Sequence, residues 1–126
     1  MANTPPTASE LAVLNLLWDR GPLTVRAVYD ELVKEKDVVY TTILKTMQVM
    51  YERGYVSRER VGRQHVYAAI IAREPTQDKL LDGFLGKTFG GSAQRLVMRA
   101  LGNYKTSKDE LRELKALIER LENEEQ

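Results

Sequence analysis

The chain has 126 residues, of which 43% are hydrophobic and 29% charged, with a net charge of +1, no cysteine and one histidine. This length fits one compact domain or two small units that share apolar surface with a partner, and the missing cysteines exclude disulfides and thiol chemistry. We expect no metal site and no cofactor, and because neither a run of about 20 apolar residues nor a signal-peptide pattern occurs, we expect a cytoplasmic protein.

The first predicted helix begins at a capping box. Thr7 and Glu10 have the spacing at which each side chain bonds the backbone of the other, and apolar residues then recur at helical spacing as far as Trp18. The turn sequence "DRGP" ends this run. We interpret Trp18 as a core residue of this helix and not as part of a cofactor site.

Two further helices are predicted in the first half of the chain. Thr24 is a suitable N-cap for the second helix, and Leu23 just before it predicts one short strand. The third helix covers about residues 39–53, with Met47 on its apolar face. Gly54 suits the left-handed position that follows a last helical turn, so we expect it to end this helix.

About residues 55–69 are predicted to form a β-hairpin. Two β-compatible runs are joined by Gly62 and Arg63, and glycine at the first central position of a two-residue loop is typical of a type II′ turn. Arg63 then lies at the tip of the hairpin. The predicted register pairs Val61 with Gln64 and Arg60 with His65.

Three more helices are predicted in residues 74–126. Pro75 lies near the start of the first of them, "GGS" ends it and caps the next, and Ser107 with Glu110 forms a capping box for the last. Their large apolar residues exceed what so short a segment can cover by itself, which predicts a homodimer. The residues expected at the dimer interface are Leu81, Phe84, Leu85, Val97, Leu101, Leu111, Leu114, Leu117, Ile118 and Leu121.

Three helices followed by a hairpin are typical of a winged helix-turn-helix. Positive charge is concentrated there, because residues 45–63 hold five Lys and Arg against two Asp and Glu. In this fold the third helix enters the major groove of DNA, and the hairpin reaches phosphates or the minor groove. We therefore predict a mostly α chain with a small β-hairpin, made of a winged helix-turn-helix in residues 1–73 and a three-helix dimerisation domain in residues 74–126.

The candidate DNA contacts lie on the polar face of the third helix and on the hairpin. Hydroxyls near a helix N-terminus hold phosphates or base edges, lysine pairs with guanine or phosphate, and glutamine pairs with adenine. Arginines on the hairpin reach the backbone, and we rank the tip residue above the other two. The expected contact residues are Thr41, Thr42, Lys45, Gln48, Arg58, Arg60 and Arg63.

Neighbouring residues have more ordinary interpretations. Leu44 shares the polar face and is expected to be exposed, where it either touches a thymine methyl or is plain surface. Tyr40 is expected to pack between the second and third helices. His65 is expected to pack beside Tyr67 on the hairpin, and no residue is assigned a catalytic role.

Three blocks of the sequence carry a resemblance to a known family. They are "LAVLNLLWDRGPLTVRAVYDEL", "YTTILKTMQVMYERGYVSRERVGRQHVYAA" and "SKDELRELKALI", within a match over about residues 9–121. These blocks resemble the penicillinase-repressor family, often called the BlaI/MecI family. The resemblance implies a dimeric repressor that binds a pseudo-palindromic operator in double-stranded DNA. By motif position it implies DNA contact for Thr41, Thr42, Lys45 and Arg63.

Two features of that family differ in this chain. Several members are cleaved at an Asn-Phe bond after a membrane-bound sensor protease responds to β-lactam, and Arg99-Ala100 stands at that place here. Copper-responsive relatives use a cysteine motif, and this chain has no cysteine. The family resemblance implies a co-encoded membrane sensor protease as a partner. Because of these two differences, the sequence leaves the release signal open.

Two other functions are compatible with the same elements. A winged helix that binds a protein instead of DNA predicts attraction to DNA that is weak and nearly independent of salt. A regulator that senses a small molecule between its domains predicts a polar cluster, and the sequence shows none. No sequence motif supports an enzyme.

Overall fold

The computed structural model describes residues 4–124, which form six helices and a small sheet. In chain order the elements are α1 (Ala8–Arg20), β1 (Leu23–Thr24), α2 (Val25–Leu32), α3 (Tyr40–Glu52), β2 (Val56–Val61), β3 (Gln64–Ala69), α4 (Arg73–Phe89), α5 (Ala93–Asn103) and α6 (Lys108–Glu124). The predicted fold class, mostly helical with a small β-hairpin, is confirmed. None of the helices in the described range is long and apolar enough to cross a membrane.

Contacts within the chain divide it into two compact units between Leu81 and Asp82. Unit 1 is residues 4–81 of the described chain, and unit 2 is residues 82–124. The predicted domain boundary between residues 73 and 74 lies at the start of α4, and it stays a prediction.

Side-chain caps begin the helices where the sequence predicts them. Thr7 Oγ1 accepts from the Glu10 N–H at 3.2 Å, and Glu10 Oε1 accepts from the Thr7 N–H at 2.9 Å. Thr24 Oγ1 accepts from the backbone of α2 at 3.1 Å. The capping box of Ser107 and Glu110 has both bonds at 3.1 Å. Hydrogen bonds from the backbone N–H and then the hydroxyl of Ser107 lower the pKa of the Glu110 carboxyl.

The sheet has the order β1-β3-β2, with both neighbouring pairs antiparallel. The predicted register of Val61 with Gln64 and Arg60 with His65 is confirmed. Gly62 has a φ of 64°, and within the described chain only glycines have a positive φ, so Arg63 does not. A positive φ at the first central residue alone is the pattern of a type II′ turn. We call β2, β3 and this turn the wing.

Unit 1 has a closed apolar core between its helices and the sheet. The core residues, each at most 7% exposed, are Val13, Leu14, Leu17, Val25, Val28, Ile43, Met47, Met50, Tyr55, Val56 and Tyr67. Trp18, predicted as core, is only half-buried and packs against this cluster from its edge. The reason is its indole Nε1–H, which donates to the Ile71 carbonyl oxygen at 3.0 Å and so needs a polar partner at the rim.

A buried ion pair joins the start of α1 to the end of α3. Glu10 is 4% exposed, and Arg53 Nη1 donates to its two carboxylate oxygens at 3.1 and 2.9 Å. Arg53 Nη2 donates to the Tyr55 hydroxyl at 2.7 Å, and that hydroxyl donates to the Thr4 carbonyl oxygen. Because both oxygens of the buried carboxylate bond Arg53, the pair is tolerated at the core boundary.

Unit 2 has no buried residue in its described range. The rings of Phe84 and Phe89 pack edge to face with centroids 5.7 Å apart, and most of the large apolar side chains remain in contact with water. On α6, Leu117 is 39% and Ile118 is 53% exposed. A single chain therefore leaves the apolar face of this unit uncovered.

Candidate nucleic-acid interface

α3 has one buried face and one exposed face. The buried face carries Ile43, Met47 and Met50, which are at most 5% exposed. Thr41, Lys45 and Gln48 follow one another at helical spacing on the opposite side and are exposed, as is Thr42 in the first turn. The N-cap residue of α3, Val39, makes no side-chain hydrogen bond to the helix, so the first N–H groups of α3 remain available to an anion.

Two neighbours of this polar face are less exposed. Leu44, expected to be exposed, is half-buried and packs against the core, so that expectation is wrong. The reason is that Leu44 lies one turn before the buried Met47, at the edge of the apolar face of α3. Tyr40 packs edge to face on Tyr29 of α2 with ring centroids 5.5 Å apart, which confirms its predicted packing.

The three arginines of the wing have different surroundings. The Arg58 guanidinium carbon lies 4.0 Å from the ring centroid of Tyr51 on α3, a cation–π contact. Arg60 Nε donates to the Gly62 carbonyl oxygen at 3.2 Å. Arg63 is exposed at the turn. Arg58 therefore ties the wing to α3, while Arg63 presents its charge to solvent.

The only histidine packs as predicted. The His65 ring lies edge to face with Tyr67, with centroids 6.3 Å apart and planes at 80°. Tyr67 is 1% exposed, so His65 covers one side of a core residue. This environment is that of an ordinary strand residue.

A concavity of about 200 Å³ lies where α2, α3 and the wing meet. We call it the α2–wing cleft. Of the predicted contact residues, Gln48 and Arg63 line it, whereas the others lie outside it, all exposed except Arg58, which is half-buried. The side chains that line it from these three elements include Arg26, Tyr40, Leu44, Gln48, Arg63 and Gln64. Part of the predicted site is thus brought together in one place.

Arg26 and Gln64 belong to this cleft and were missed by the sequence reasoning. The missing piece is the pairing of β1 with β3, in which Thr24 lies opposite Val66. This pairing brings the start of α2 beside the wing. The N-cap at Thr24 and the short strand were predicted, but their partner strand was not, so Arg26 had no visible reason to lie near the wing.

Three helices, a three-stranded sheet and a hairpin beside the third helix define the winged helix-turn-helix class. A solved structure described as the DNA-binding domain of the repressor BlaI has the same fold, with a TM-score of 0.52 and 24% sequence identity. The match covers 58% of this chain and 90% of that domain. The winged-helix prediction is confirmed.

Within that class, the sequence profile of the penicillinase repressor family matches residues 6–120. The chain therefore belongs to the penicillinase repressor family, a family of DNA-binding transcriptional repressors and not a class of enzymes. The resemblance that the three sequence blocks carry is confirmed.

Two relatives show how the similarity is distributed along the chain. The methicillin resistance regulatory protein MecI of Staphylococcus aureus strain N315 is 21% identical over 112 residues, which cover 89% of this chain and 91% of that protein. The transcriptional regulator BlaI of Mycobacterium tuberculosis is 35% identical over 77 residues, or 60% of this chain and 53% of that protein.

Proposed function

We propose that this chain is a cytoplasmic, homodimeric transcriptional repressor that binds a pseudo-palindromic operator. α3 enters the major groove of each half-site, and the wing lies on the backbone or in the adjacent minor groove. Because a two-fold symmetric dimer presents two copies of α3, the half-sites lie about one helical turn apart, roughly 10 bp, or a multiple of it. Occupation of the operator blocks the promoter.

The observation that carries this proposal is the division of α3 into two faces. Its apolar side is buried in the core of unit 1, so the orientation of the helix is fixed. The side that faces solvent presents Thr41, Lys45 and Gln48, which provide a hydroxyl, a cation and an amide for phosphates and base edges. A helix about 10 Å across fits the major groove.

The wing supports the same arrangement. Arg63 is exposed at its tip, and a cation on a hairpin beside the recognition helix is well placed for backbone or minor-groove contact. Arg58 and Arg60 lie along the same hairpin, but both are engaged within unit 1, with the Tyr51 ring and the Gly62 carbonyl respectively. We therefore assign them a secondary role in DNA contact.

The uncovered apolar face of unit 2 supports the dimer. The proposed interface residues are Leu81, the last residue of unit 1, and in unit 2 Phe84, Leu85, Val97, Leu101, Leu111, Leu114, Leu117, Ile118 and Leu121; all but Leu85 and Leu114 are exposed in the single chain. An apolar stripe of this length on α6 is typical of helices that pair with a second helix. A second copy of the chain is the partner that such a stripe fits.

Release by a co-encoded membrane protease rests on the resemblance alone and stays a prediction. Arg99 and Ala100, at the position expected for the cleavage bond, lie inside α5. Proteolysis acts on locally opened chain, so a cut there requires α5 to open first.

Salt titration tests whether the chain binds DNA as proposed. DNA fragments selected from the source genome by the purified protein serve as the operator. Each phosphate contact makes log K fall with log[salt] by about 0.9, so several contacts give a steep slope. A flat response contradicts the repressor and favours a winged helix that binds protein, whereas a thermal shift with a small molecule would favour a sensing regulator.

Two substitutions test the assigned residues. Lys45→Ala and Arg63→Ala are each expected to weaken operator binding, by about 1–3 kcal/mol where a base contact is lost. Sedimentation should show an unchanged oligomeric state. Lys34→Ala is the matched control, because Lys34 is an exposed cation outside the assigned contact residues and pairs with Glu31 at 2.9 Å. Binding by both variants at the parental level would contradict the site assignment.

A further inference from the structure

The α2–wing cleft carries positive charge that the assigned contact residues do not account for. Arg26 reaches it from α2 and Arg63 from the tip of the wing. None of the residues that line the cleft is Asp or Glu. Two cations at one concavity without a lining carboxylate favour an anionic occupant.

An aromatic pair holds Arg26 at this position. Its guanidinium carbon lies 5.7 Å from the ring centroid of Tyr29, one turn further along α2. Tyr29 in turn packs edge to face on Tyr40, with centroids 5.5 Å apart, and Tyr40 itself lines the cleft. Arg26 thus lies beside an aromatic pair that extends to the start of α3.

Asp30 is the one carboxylate that forms an ion pair with Arg26 in the described chain, and this ion pair is weak. Arg26 Nε lies 3.2 Å from Asp30 Oδ1, and the two side chains are 67% and 55% exposed. Exposed ion pairs of this kind contribute little in water and are screened by salt. A polyanion can therefore compete with Asp30 for the guanidinium.

We propose that the α2–wing cleft seats a phosphate of the DNA backbone, with Arg26 and Arg63 as its cationic contacts. This inference rests on the proposed function. When α3 lies in the major groove and the wing beside it, one DNA strand passes between them, and the cleft opens at that junction. Its volume of about 200 Å³ is below the roughly 300–1,000 Å³ of sites for drug-sized ligands.

Two amides complete the proposed contact. Gln48 and Gln64 line the cleft from α3 and from the start of β3. Amide N–H groups donate to phosphate oxygens without reading the base sequence. Arg26 thereby becomes a DNA-contact residue that acts on every sequence alike, unlike Lys45 where it meets a base edge.

The test measures how Arg26→Ala changes the salt dependence of DNA binding in the full chain. Filter binding is done with the selected operator and with a mixed-sequence duplex of about 30 bp, or three helical turns. Loss of one phosphate contact is expected to reduce the slope of log K against log[salt] by about 0.9 for each chain bound. At about 0.1 M salt this corresponds to roughly tenfold weaker binding per chain, equal for both duplexes.

Arg20→Ala is the matched control, because it removes the same charge elsewhere on unit 1. Arg20 Nη2 bonds Glu31 at 2.7 Å, and hydrogen bonds from Lys34 and Arg20 lower the pKa of that carboxyl. The control is expected to keep the parental slope. If Arg20→Ala flattens the slope as much as Arg26→Ala does, the effect is one of net charge and the proposal is overturned.

Asp30→Asn separates competition for Arg26 from general repulsion of DNA. If Asp30 competes with phosphate, removing its charge strengthens binding more in the parent than in Arg26→Ala. An equal gain in both backgrounds overturns the proposal. If the parent binds the operator and Arg26→Ala binds it with the same affinity and salt slope, the proposal for this cleft is overturned and the proposed function is not. If the parent binds neither duplex, the proposed function is overturned as well.

Discussion

Both units of this chain carry large apolar residues at helical spacing, but only unit 1 buries them within the single chain. Eleven large apolar side chains in unit 1 are at most 7% exposed, whereas no described residue of unit 2 is buried. Full burial of a large apolar side chain contributes about 1.5–3 kcal/mol, so unit 1 supplies its own folding free energy. Unit 2 lacks this contribution within a single chain, and in the proposed dimer the second copy supplies it.

α3 and α6 show the same contrast within single helices. Both have an apolar stripe at helical spacing, and in α3 this stripe meets α1 and the sheet, where Met47 is fully buried. In α6 the equivalent residue Leu117 is 39% exposed. Helical periodicity therefore indicates that one face of a helix packs against other residues, but it does not indicate whether those residues belong to the same chain.

The largest expected effect comes from a charge in the proposed dimer interface. Leu117→Asp places a carboxylate where the second chain packs, and an unpaired charge there is costly to desolvate. We expect association to weaken by at least about 4 kcal/mol, or roughly a thousandfold in Kd. Sedimentation should then show monomer at concentrations where the parent is a dimer.

Ala116→Asp is the control for this substitution. It adds the same charge to the neighbouring position, which lies on the side of α6 away from the stripe. We expect it to leave the dimer intact. A Leu117→Asp protein that sediments like the parent would show that unit 2 does not hold two chains together.

The next effect is a cavity in the core of unit 1. Leu14 is fully buried, and Leu14→Ala is expected to lower the free energy of unfolding by about 3 kcal/mol. Urea denaturation followed by circular dichroism measures this loss, which should be the same at two protein concentrations. Leu117→Ala is the companion variant in unit 2, and its effect should vary with concentration. A concentration-dependent loss for Leu14→Ala would contradict a self-sufficient unit 1.

The smallest of the three effects concerns the buried ion pair. Glu10→Gln keeps a residue that can still form the capping box but removes the charge that faces Arg53. Because Arg53 is partly exposed, at 29% of its side chain, we expect a loss of about 2 kcal/mol in unfolding free energy. In an Arg53→Met background the same change should cost much less. Equal losses in both backgrounds would show that the ion pair contributes nothing.

Much of the fold follows from local sequence signals. The capping boxes at Thr7 and Ser107 and the glycine at the hairpin turn act within four residues of themselves, so pattern and chemistry predict them correctly. The exposure of Lys45 and Gln48 follows from the helical period of α3. These are the parts of the candidate interface that the sequence reveals.

The rest depends on contacts between distant segments. Leu44 and Trp18 were misjudged because their burial is set by neighbours in other elements. The Arg53 pairing with Glu10 joins residues 43 positions apart, and no local pattern indicates it. Arg26 was missed for the same reason, because only the pairing of β1 with β3 brings α2 to the wing.

The position of Trp18 gives the unmodified chain an optical reporter for one of its units. It is the only tryptophan, and it lies in unit 1 with its indole N–H bonded to the Ile71 carbonyl. Unit 2 carries Phe84, Phe89 and Tyr104 instead. Fluorescence excited at wavelengths that only indole absorbs therefore reports on unit 1 alone. Tyr104→Trp in a Trp18→Phe background would place the same probe in unit 2.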